Sequence, residues 1–156
     1  MDMSLKEKST WVSLISTIGV FGYYFYGILG LVGLPVEVAL DNALSLAIKI
    51  ITIIVMLEII FQSLLAVSHH REANLGNDER DKIFNDKSHR ISYVVLVIGV
   101  FVTLGRIVIV EYNPSFTAEL NSIQIPMLTA HILLLSFILA EVARFISLIF
   151  YYRRGR

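Results

Sequence analysis

Four apolar stretches, at residues 11–31, 43–67, 91–110 and 125–152, are each long enough to cross a bilayer as a helix. A helix spans the hydrocarbon core with about 20 mostly apolar residues. Inside that core a helix satisfies its own backbone N–H and C=O groups, so such stretches have little choice of structure. The expectation is an all-α, four-helix transmembrane bundle, one integral membrane domain over residues 1–156. Charged residues make up 17% of the chain and the mean hydropathy is +0.71. A soluble domain of this length carries more charge and shorter apolar runs. Lys6, Glu7 and Lys8 ahead of the first stretch resemble the start of a signal peptide. The apolar run is too long for one and no small-residue cleavage site follows, which predicts a retained span.

Lys and Arg are unevenly shared among the connecting segments. Lys6 and Lys8 precede the first span, Arg71, Arg80, Lys82, Lys87 and Arg90 lie in the loop 68–90, and Arg153, Arg154 and Arg156 end the chain. Segments 32–42 and 111–124 hold no Lys or Arg, only Glu37, Asp41, Glu111 and Glu119. The positive-inside rule then places both termini and the charged loop in the cytoplasm. In that loop Asp78–Lys82, Lys82–Asp86 and Asp86–Arg90 are opposite charges four residues apart. Each such pair contributes about 0.2–0.5 kcal/mol, enough together to favour a solvated helix running into the third span, with Asn77 or Asp78 as its cap. Ile83 and Phe84 give this helix a small apolar side. Asp78, Glu79, Arg80, Asp81, Ile83, Phe84, Lys87 and Arg90 are therefore the candidate cytoplasmic docking residues.

The polar residues inside the spans need a physical account, because a charge in a bilayer is costly. On the second span Glu58, Gln62 and His69 share a face, whereas Lys49 lies half a turn from Glu58 and cannot pair with it. Glu58 should be paired with a cation or protonated, and Lys49 can snorkel toward the outer interface. The third span carries a stripe of Ser92, Gly99, Thr103 and Arg106; Arg106 is in range of Glu111, the outer interface or another helix. The fourth holds His131, the pair Glu141 and Arg144 three residues apart, and a small-residue face of Ser136, Ala140, Ala143 and Ser147. On the first span Ser16, Gly19, Tyr23, Tyr26, Gly30 and Gly33 form a stripe that reads as a packing face with interfacial tyrosines. Gly33 and Pro35 end that span, and Asp41 or Asn42 suits the cap of the next helix.

These groups fall into two layers. Glu58, Gln62, Glu141 and Arg144 lie in the inner half; Lys49, Arg106, His131 and the tyrosines lie in the outer half. The plain reading is interhelical hydrogen-bond glue. The sharper one is a small proton-linked transporter using Glu58 and Glu141, because carboxylates outnumber cations in the inner layer. Several chemistries find no support. The chain has no Cys, which removes thiolate metal sites and Cys nucleophiles. His69, His70, Glu72, Asp78 and His89 lack metal-ligand spacing, and no phosphate loop or nucleophile–base pair appears. His131 has no second histidine at its depth for haem. Thirteen basic residues balance thirteen acidic ones, so nucleic acid is not an expected partner. Neither a metal nor a cofactor is called for.

Lys6-Glu7-Lys8-Ser9 with Trp11 and Gly22-Tyr23-Tyr24-Phe25 form one motif. Asp78-Glu79-Arg80-Asp81 through Lys87-Ser88-His89-Arg90-Ile91 form a second, and Leu139-Ala140-Glu141 with Arg144 and Tyr151-Tyr152-Arg153-Arg154-Gly155 a third. Together they resemble a family of small four-span bacterial inner-membrane proteins of unknown function. That resemblance spans nearly the whole chain and implies four spans in a bacterial inner membrane, with no activity to carry over. The residues favour a non-enzymatic membrane component that touches the lipid bilayer and binds a membrane-protein partner or another copy of itself.

Overall fold

The computed structural model describes residues 5–72, 79–112 and 125–154. Its elements are α1 (Leu5–Leu29), α2 (Val36–Glu72), α3 (Glu79–Tyr112) and α4 (Leu128–Arg154). Each contains a segment long and apolar enough to cross a membrane. Over the described residues the chain is thus an all-α bundle of four helices with the character of a multi-pass membrane protein. The expectation that the charged loop runs unbroken into the third span holds over the described residues, since α3 is one helix from Glu79 to Tyr112. The caps expected at Asn77 or Asp78 lie outside the described residues.

The turn from α1 to α2 is set by backbone chemistry. The N–H groups of Leu31 and Val32 donate to the carbonyls of Ile28 and Leu29, tightening the last turn. Gly33 then adopts φ +87°, the left-handed region. Pro35 stands where its missing N–H costs least, and its carbonyl accepts from Ala39 at 2.9 Å. This start places Asp41 and Asn42 inside α2, so neither is the cap expected for it. Pro35 begins the helix earlier, and Ala39 and Ala43, each 2% exposed, form its one inward face there. Gly33→Ala should lower stability by about 1 kcal/mol, the cost of a Cβ in left-handed backbone. Gly33→Asn should cost less, and thermal unfolding in detergent compares them.

Helix packing follows the order α2–α1–α4–α3, with α3 against α4 the most extensive interface. Phe84 stacks on Tyr151, Gly99 abuts Ser136, and the Arg106 Nε donates to Thr129 Oγ1 at 3.3 Å. These contacts keep one antiparallel register: fifteen residues separate the first two on each helix, and seven the second two. A seven-residue spacing returns to the same face of packed helices. The two small-residue stripes read from the sequence are brought together here. Ser88, Ser92 and Thr103 on α3 are buried, as are Ser136 and Ala140 on α4. The hydroxyls of Ser88, Thr103 and Ser136 each donate to a carbonyl of their own helix. Close packing therefore holds this interface more than interhelical hydrogen bonds do.

The first-span stripe behaves differently from its expected role. Tyr23 and Tyr26 are 51% and 79% exposed, while Tyr24, Ile28 and Leu14 are buried. The packing face of α1 is thus turned about 100° from the one expected, one residue along the helix. Tyr24 and Ile28 cluster with Ala43 and Ile50 of α2, and Gly27 admits Leu46 beside them.

At one end the start of α1, the start of α3 and the end of α4 converge. Lys6 pairs with Asp81, and Arg153 pairs with Glu7 at 3.2 Å. Glu7 is 1% exposed, so its carboxylate lies inside the protein. Arg153 also covers the ring of Trp11, Arg80 covers Phe84, and Lys87 lies over Tyr151. Asp81 thus joins Lys6, and among the described residues neither Lys82–Asp86 nor Asp86–Arg90 forms the ion pair expected within the helix. A contact between elements brings a charge into a fixed, half-buried setting, whereas an exposed pair on one helix stays solvated.

Candidate functional site

A cavity of about 880 Å³ lies between α1, α2 and α4. Its α4 wall carries Glu141 and Arg144. The Arg144 Nη2 and Nε donate to the same carboxylate oxygen, Glu141 Oε2, at 2.6 and 3.1 Å, the pairing that the three-residue spacing predicts. Glu141 Oε1 and Arg144 Nη1 take no partner among the described residues. The Arg144 guanidinium also lies 4.6 Å over the ring of Phe145, another lining residue.

Facing this pair, α1 contributes Ser9, Thr10, Ser13, Ser16 and Thr17. At 100° per residue these five positions occupy about 120° of the helix. Among the described residues only Thr10 of these five donates to its own helix, to the Lys6 carbonyl at 2.8 Å. That back-bond is the habit of hydroxyls in this protein, made also by Thr52, Ser63, Thr103 and Ser136. Ser9, Ser13, Ser16 and Thr17 make no hydrogen bond among the described residues. Sequence reasoning took Ser16 into the tyrosine stripe and passed over the other four. The signal available was their density, five hydroxyls in nine positions at the start of an apolar span.

The cavity changes character along its length. Beyond Thr17 it is lined by Val20, Phe21, Ile50, Ile54, Leu134 and Ile138. Tyr24 lines it as well, and behind Tyr24 sits His131. The Tyr24 hydroxyl and His131 Nδ1 are 2.9 Å apart and buried, linking α1 to α4. Tyr24→Phe should cost about 0.6–1 kcal/mol, the scale of an interhelical hydrogen bond in a membrane, as measured by unfolding in detergent.

The other intramembrane candidates are dispersed. Lys49 donates to the Tyr23 hydroxyl at 3.5 Å and sits 5.6 Å over its ring. Arg106 reaches Thr129 on α4, one of the three destinations its position allowed. The side chains of Glu58 and Gln62 lie outside the described residues, so the expected inner layer is represented by Glu141 and Arg144. Among the docking candidates Glu79, Arg80, Ile83, Lys87 and Arg90 are exposed, while Asp81 and Phe84 are half-buried against α1 and α4. Asp78 lies outside the described residues. Among the described residues no cluster of His, Asp and Glu has the makings of a metal site.

No family model, curated protein or solved structure matches the chain. The functional reading therefore rests on the cavity and on the charge pattern.

Proposed function

We propose that the protein is a non-enzymatic, multi-pass component of a bacterial inner membrane that receives an amphiphilic guest into the cavity between α1, α2 and α4. The observation that carries this reading is the wall of hydroxyls, Ser9, Ser13, Ser16 and Thr17, without protein partners among the described residues, in a space continuous with apolar side chains. These hydroxyls are half-buried and face the cavity, where they are free to bond a polar group that a guest brings out of water. Cavities of this size, mostly apolar with a few convergent polar groups, are the usual form of small-molecule sites. Among the described residues the α2 backbone approaches α1 and not α4, so the side between α2 and α4 is the entry route this reading assigns to a guest.

The charge asymmetry supports a cytoplasmic position for both termini and the loop. There Ile83, 51% exposed, with Glu79 and Arg90 beside it, offers the surface for a membrane-protein partner or a second copy. Membership of the family of small four-span membrane proteins that the motifs resemble is part of the same reading. Native mass spectrometry of the protein, extracted mildly from its own membrane, tests it. A mass above whole multiples of 17.6 kDa is expected, and filling the cavity with Ser13→Trp should remove the excess. An excess that survives Ser13→Trp, or a clean mass from the unaltered chain, overturns the reading.

A second reading draws on Glu141 lining the cavity: a small proton-linked transporter using Glu58 and Glu141. Proton-driven flux in proteoliposomes that disappears in Glu58→Gln or Glu141→Gln would support it. Absence of flux, or flux indifferent to both changes, rejects it.

A further inference from the structure

The charges in the cavity wall narrow the class of guest. Glu141 and Arg144 stand one turn apart on α4 and both line the cavity. Neither is taken up by holding another helix among the described residues, because Arg144 bonds only Glu141. The pair sums to zero charge. An anionic guest near Arg144 would meet the Glu141 carboxylate, and a cationic guest near Glu141 would meet the guanidinium. A guest carrying both charges meets an opposite partner for each. Glu141 Oε1 has no donor among the described residues, and a primary ammonium supplies one. Arg144 Nη1 has no acceptor among the described residues, and a phosphate oxygen supplies one. The hydroxyls of Ser13, Ser16 and Thr17 can donate to further phosphate or ester oxygens.

The other half of the cavity demands a tail. Val20, Phe21, Ile54 and Leu134 continue the same space away from the ion pair, with no charged side chain among its described lining residues beyond Glu141 and Arg144. A small soluble zwitterion would leave this half without a partner. Two acyl chains suit it, and the side between α2 and α4 is their route to the membrane.

We propose that the cavity binds one zwitterionic phospholipid with a primary-amine headgroup, its ammonium at Glu141, its phosphate at Arg144 and its acyl chains along α1 and α2. This rests on the reading of the cavity as an amphiphile site and adds the identity of the headgroup. A quaternary ammonium carries the same charge but no N–H to donate, and a phosphoglycerol headgroup carries only the anion.

The full-length, delipidated protein is titrated with phosphatidylethanolamine, phosphatidylcholine and phosphatidylglycerol of identical acyl chains, and 1:1 complexes are counted by native mass spectrometry. Phosphatidylethanolamine is expected to bind about tenfold more tightly than the other two, the factor one charge-assisted hydrogen bond provides. Glu141→Gln should bring it down to the level of phosphatidylcholine. Equal binding of all three lipids, or preference for phosphatidylglycerol, overturns the headgroup assignment. If Ser13→Trp or Ser16→Phe still blocks that binding, the cavity reading stands without it. Absence of any 1:1 complex, or binding indifferent to both filling changes, sinks the two together. Soluble glycerophosphoethanolamine displacing the intact lipid at equal concentration would make the free headgroup the ligand and reject the lipid. If Glu141→Gln fails to fold, the ranking on the unaltered chain decides alone.

Discussion

Replacing Gly99 by alanine is expected to weaken the α3–α4 interface by about 1–3 kcal/mol, the usual cost of overpacking a close contact. A methyl group there would fall 3.2 Å from the Ser136 Cα and overlap the Ser136 Cβ and Oγ. The Cα belongs to the backbone of α4, so no rotamer change relieves the clash. The helices must move apart, and the shared register carries that movement toward Phe84–Tyr151 on one side and Arg106–Thr129 on the other. Ser136→Gly in the same chain should restore much of the loss by removing the opposing Cβ and Oγ. Unfolding midpoints in one detergent at fixed concentration, arranged as a double-mutant cycle, measure this. Additive effects would show that Gly99 and Ser136 do not bear on each other. Gly27→Ala should be milder, since the nearest atom there is Cδ2 of Leu46, the far end of a flexible side chain.

The other large effect is expected at Arg144. Arg144→Met leaves the Glu141 carboxylate in the cavity wall without its cation. Breaking a fully buried pair costs about 3–5 kcal/mol. Here the side chains are 24% and 32% exposed, so about 2 kcal/mol is the appropriate scale. Glu141→Gln together with Arg144→Met removes both charges and should cost less than Arg144→Met alone. That ordering separates the penalty of an orphaned charge from the net worth of the pair, which is small. If the double variant is the less stable of the two, the pair itself holds the fold.

The pair was legible because its geometry is local: two residues three apart on a helix meet wherever the helix goes. The facing stripes of α3 and α4 were legible for a related reason, since Gly99, Ser92 and Ser136 admit a close neighbour on any partner. The hydroxyl wall of α1 was not. Ser9, Ser13 and Thr17 could equally have back-bonded to their own helix, as Thr52 and Ser63 do, and only the position of α4 gives them a cavity to face. The role of Phe84 depended likewise on where the end of α4 comes to rest. Its ring stacks on Tyr151, while its neighbour Ile83 stays exposed.

The sequence by itself determined four helices of membrane-spanning length and an uneven division of Lys and Arg between their connections. Both follow from the residues of each segment alone, because a helix in lipid meets its hydrogen-bonding needs within itself. Only the tertiary structure decided that α1 turns Tyr24 inward and Tyr23 outward, and that the helices stand in the order α2–α1–α4–α3. Lipid is as apolar as a protein interior, so hydrophobic pattern cannot tell an inward face from an outward one in such a bundle. That choice falls to close contacts such as Gly99 on Ser136 and to hydrogen bonds such as Tyr24 with His131, which exist only once the partner helix is in place.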